Sequence, residues 1–224
     1  MMDIHFTDRI TQNTDWATIA FISSIALVVL VKTLFEKKFV DFTNIILSSK
    51  FFKTYRDSNS LMSWFNILLV LVHFISFSFF IHLSLSYFGV TEKFNWQHLL
   101  FVASGLAGFI LIKQILDKLI SFTFEINEFH SFYNLQKISY KNFIGLLFIP
   151  INIFLFYNSV QNEYVMRSLI GLFITLNALA FINILRANSK QIISQFFYFF
   201  LYLCALEIAP YLIVSYWFIK LNLI

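Results

Sequence analysis

The chain has one cysteine, Cys204, two prolines and five glycines in 224 residues, and only 12% of it is charged. A single cysteine excludes a disulfide framework and any metal motif built on cysteine pairs. Scarce proline and glycine, with no serine-rich stretch and no charge block, leave no linker, so residues 1–224 read as one domain. No internal repeat of useful period is visible. Charge at about half its usual share in soluble domains argues for a solvent other than water. Also missing are a nucleophile elbow, a glycine-rich phosphate loop and a paired-acid motif, so the sequence assigns no catalytic residue and asks for no cofactor.

What is present is apolar: 59% of residues are hydrophobic and 31 are phenylalanine. Roughly 20 apolar residues cross a bilayer as a helix. Runs of that kind fall at about 16–34, 63–86, 99–120, 140–157, 165–184 and 196–219, which predicts an all-α integral membrane bundle of six transmembrane helices. The segment before the first run holds Asp3, Asp8 and Asp15 against one Arg9 and lacks the basic start of a signal peptide, so the first span is expected to be retained. Between the first two spans, residues 39–56 alternate Phe39, Phe42, Ile45, Ile46, Phe51 and Phe52 with Lys50, Lys53, Arg56 and polar residues. That run is too interrupted to cross and fits an amphipathic helix in the headgroup layer.

Lysine and arginine sort by loop. Lys32, Lys37, Lys38, Lys50, Lys53 and Arg56 follow the first span, Lys113, Lys118, Lys137 and Lys141 follow the third, and Arg186 and Lys190 follow the fifth. The other side has only Arg9, Lys93, Arg167 and Lys220. The positive-inside rule then places the three basic connections in the cytoplasm and both termini outside it. The same rule accounts for the net charge of +4 and for the basic face of Lys37, Lys38, Lys50, Lys53 and Arg56, which suits anionic lipid or an acidic partner and argues against nucleic acid.

With this topology His73, Asn152, Asn177 and Glu207 reach a similar mid-membrane depth on four helices. Polar groups there are costly unless they meet one another or water, so they are expected to form a layer, with His73 against Glu207 as its sharpest contact. Such a layer either carries a proton or a polar headgroup, or fixes helix packing at about 1 kcal/mol per hydrogen bond. Pro150 and Pro210 are expected to kink the fourth and sixth spans, Pro210 freeing the carbonyl of Leu206 beside Glu207. Small residues four apart, Ser104 with Gly108 and Ala205 with Ala209, mark faces able to approach another helix closely. Glu125, Glu128 and His130 have metal-ligating side chains, but their setting on a polar connection reads as a solvated face, and no metal site is assigned.

Tyr202, Leu203, Cys204, Leu206, Glu207, Ile208 and Pro210 resemble the closing segment of a family of small multi-pass inner-membrane proteins of Bacteroidota, a domain of unknown function. Asn142 to Tyr157, with Gly145 before Leu146, Leu147 and Pro150, resembles that family's preceding signature. The resemblance implies the cytoplasmic membrane of a Gram-negative cell and marks Glu207 and Pro210; it implies no activity. Three functions stand open: a non-catalytic subunit of a larger membrane complex for envelope biogenesis, secretion or transport, a small proton-coupled transporter using His73 and Glu207, and an enzyme acting on a lipid-linked substrate. The first implies other integral membrane proteins as partners.

Overall fold

The protein is described from a computed structural model, which covers residues 14–45, 50–54, 63–123, 127–158 and 163–188. Among these residues it is all helical: α1 Asp15–Leu34, α2 Glu36–Thr43, α3 Lys50–Thr54, α4 Trp64–Tyr87, α5 Trp96–Thr123, α6 Asn127–Tyr157 and α7 Glu163–Ala187. Helices α1, α4, α5, α6 and α7 are each long and apolar enough to cross a membrane. The expected sixth crossing, 196–219, lies outside the described residues.

The helices alternate in direction, as side-chain contacts at their two ends show. At one end Trp16 and Phe21 of α1 meet Phe79 of α4 and Phe156 of α6. Met166 of α7 and Leu99 of α5 belong to the same apolar cluster. At the opposite end Phe35, just after α1, packs edge-on against Phe65 of α4, and Asn188, just after α7, donates to Gln136 of α6. Helices α4 and α6 therefore run parallel, with α1 antiparallel to both. Lys32 in the last turn of α1 and Arg186 in the last turn of α7 both lie at this second end.

Two regions differ from expectation. The amphipathic stretch is two short helices rather than one, and Phe42, Ile45, Phe51 and Phe52 are buried with Phe65, Tyr133 and Tyr140. Amphipathic spacing does not distinguish a face turned to lipid from one turned to protein, and here the protein covers it. Helix α6 begins at Asn127 rather than near 140, because Tyr133, Leu135, Gln136 and Ser139 are buried against neighbouring elements instead of forming a solvated connection. Pro150 lies inside α6, which continues to Tyr157. The turn after α4 needs Gly89, whose φ of 74° falls where other residues are strained.

Candidate functional site

Among the described residues α4 and α6 form the most extensive helix pair, and these two helices carry most of the buried polar side chains. On α4, Asn66, His73 and Ser76 recur at helical spacing on one face; on α6, Ser139, Asn142, Gly145 and Asn152 do the same. Gly145 fixes how close the two helices come. A Cβ at this position would lie 2.7 Å from both Cα and Nδ1 of His73, so the α6 backbone sits directly on α4. Such contacts are how helices associate in lipid, where apolar burial supplies little drive.

His73 fills the notch that Gly145 leaves. Its ring stacks on Phe77 with centroids 5.7 Å apart, and Phe77 stacks in turn on Phe173 of α7 at 5.5 Å. The ring faces the Lys141 backbone carbonyl, yet its Nδ1 is buried without a hydrogen bond of normal geometry. Two turns further along α6, Asn152 is fully buried and donates from Nδ2 to the Ser76 carbonyl at 2.7 Å and to Ser76 Oγ at 3.2 Å. Its Oδ1 has no partner.

Of the four residues expected to form a layer, His73 and Asn152 thus share one interface, where each meets backbone or serine of the facing helix rather than the other. Asn177 does not join them: its Nδ2 donates to the Phe173 carbonyl of its own helix at 2.8 Å. Glu207 lies outside the described residues, as do Pro210, Ala205, Ala209 and Arg56. Ser104 also turns to its own helix, donating to the Phe101 carbonyl, and nothing lies within 4 Å of where a Cβ on Gly108 would be. Among the described residues this small-residue face of α5 is uncovered.

Sequence reading missed Ser76, Ser139, the burial of Asn142 and the role of Gly145. The signal was available in the 3–4-residue spacing along α6, but placing the start of the span at 140 left Ser139 in a loop. The two ends of the bundle have their own polar chemistry. At the end where α4 finishes, His82 is fully buried and Nε2–H donates to the Lys93 carbonyl at 3.0 Å. Lys93 Nζ donates to the Asn158 carbonyl at 2.8 Å, and burial pushes its ammonium below the ordinary lysine value. At the other end Lys38 lies over the Phe65 ring at 4.9 Å, and burial lowers it likewise. Lys37 beside it is exposed. Glu125 lies outside the described residues; Glu128 and His130 fall in the first turn of α6. Among the described residues no three histidine, cysteine, aspartate or glutamate side chains converge to hold a metal.

Residues 17–218 match the model of a family described as a domain of unknown function, DUF4271. No curated protein and no solved structure matches the chain.

Proposed function

Because the chain belongs to the DUF4271 family, whose description assigns no activity, we propose a function from its own residues: it is a non-catalytic subunit of a larger cytoplasmic-membrane complex serving envelope biogenesis, secretion or transport. The observation that carries this reading is the face of α5 that no described residue covers. Gly105 and Gly108 stand one turn apart with open space where a Cβ would be, beside the outward Phe101, Leu111 and Ile112. Gly171 on α7 has the same open space. Small residues of this kind let a second helix approach backbone to backbone, and the occupant proposed is a helix of another integral membrane protein.

The protein sits in the inner membrane of a Gram-negative Bacteroidota cell as six spans, with both termini in the periplasm and residues 39–56 at the cytoplasmic headgroup layer. Twelve of the 16 lysine and arginine residues on one side of the alternation support that orientation. An alkaline phosphatase fused to the C-terminus is active under this topology; an inactive fusion with intact expression overturns it.

Purification from native membranes in mild detergent tests the main reading. Copurifying membrane proteins at fixed stoichiometry support it, whereas a clean monomer or homo-oligomer sinks it. The second reading, a proton-coupled carrier, draws on the titratable ring of His73 enclosed in the α4–α6 interface beside the Lys141 carbonyl. It requires Glu207 to reach the same depth, and it predicts that Glu207→Gln abolishes proton-driven uptake in proteoliposomes while folding is retained.

A further inference from the structure

Ser139 and Asn142 are 0% and 1% exposed, and neither is bonded: Ser139 Oγ, Asn142 Nδ2 and Asn142 Oδ1 are all buried with no hydrogen-bond partner. The two residues are three apart on α6, so they lie one above the other on one face, about 4.5 Å apart along the axis. Both residue types have a local way to avoid this state. Ser24, Ser78 and Ser84 each donate to the carbonyl four residues back at 2.8 Å, and Asn158 and Asn177 do the same at 2.9 and 2.8 Å. Ser139 and Asn142 leave that bond unmade. Unpaired buried amides and hydroxyls are costly, and full enclosure keeps bulk water from relieving them.

We propose that α6 carries a built site for buried water at Ser139 and Asn142. The donor set defines the guest. An amide that offers both donor and acceptor beside a hydroxyl that can do either suits a small neutral molecule with the same duality, and neither side chain supplies the charge that would hold a bare ion. One turn further along the same face, the contact between Gly145 and His73 closes the site toward the middle of the helix pair. The site stands whether the chain is a subunit or a carrier, since it requires only the two side chains and their enclosure.

Hydroxyl-radical footprinting with X-rays tests this on the full chain in lipid nanodiscs, because bound water generates radicals in place. Tyr140 and Phe143, which adjoin the two residues in sequence, are expected to be oxidised several-fold faster than Phe79 and Phe156 of the apolar cluster at the other end. Equal rates overturn the proposal. In the Ser139→Ala/Asn142→Leu double variant the excess labelling is expected to vanish; labelling that persists assigns the water elsewhere and also overturns it. Thermal unfolding of Asn142→Leu adds an independent sign. A watered site loses stability when the amide goes, whereas a dry site gains it, because leucine of similar size removes an unpaired polar group. If the double variant fails to fold, Ser139→Ala alone takes its place, with the same loss of excess labelling expected and its persistence overturning the proposal.

Discussion

Helices α6 and α7 are neighbours in sequence, yet the less apolar of the two is the one enclosed. Half of the apolar window of α6 is buried, against 11% of that of α7. Helix α7 turns Leu172, Ile174, Leu179 and Ile182 outward, while α6 turns Gln136, Ser139, Asn142 and Asn152 inward. In water the order would be reversed. Where the solvent is hydrocarbon, an apolar face gains little by leaving it, and polar groups and close backbone contacts decide which helices lie inside. In this pair the enclosed helix is the one that turns Gly145, Ser139, Asn142 and Asn152 inward, although it is the less apolar.

Glycine substitution tests that contrast most strongly. Gly145→Ala brings a Cβ against the backbone of His73 and should cost about 3 kcal/mol, seen as a large drop in thermal stability in detergent. Gly171→Ala on α7 meets open space and should be neutral or gain up to about 1 kcal/mol from helix propensity. Equal effects at the two sites would erase the distinction between the helices.

Asparagine gives a smaller effect of the same kind. Asn152→Leu removes two hydrogen bonds across the α4–α6 interface and should cost about 1 kcal/mol, whereas Asn177→Leu removes only a bond within its own helix and should change stability little. The smallest effect belongs to the half-buried lysines at the bundle ends. Burial lowers the Lys38 ammonium, so the unfolded chain holds that proton more tightly than the folded one. Stability should therefore rise as pH climbs through the depressed folded value and level off near the ordinary lysine value of about 10.4. Lys38→Met should flatten part of this rise in an unfolding series across alkaline pH, with Lys93, lowered in the same direction, supplying the remainder.

Five of the expected spans coincide with helices, four of them within about three residues at each end, because long apolar runs bounded by aromatic and charged residues report membrane depth directly. Depth was also why His73 and Asn152 stood out. Which way a side chain faces was not legible: Asn152 and Asn177 look alike in sequence, and only the packing of α6 on α4 separates them. The start of α6 was missed for a related reason. Gln136 and Ser139 carry the composition of a loop, and nothing local records that Gln136 meets Asn188 or that both are covered. Residues 39–56 showed their amphipathic pattern, but the pattern did not say that Phe42 and Phe51 would be enclosed by α4 and α6.

Helix α6 is 31 residues long, which at 1.5 Å per residue is about 46 Å, against roughly 30 Å of hydrocarbon. The surplus of about 16 Å makes it a continuous rod that spans the membrane and extends past one of its surfaces. That surplus is not bare: Tyr133, Leu135, Gln136 and Ser139 in the first half of the helix are buried, so the rod is braced by its neighbours beyond the length the bilayer itself would require.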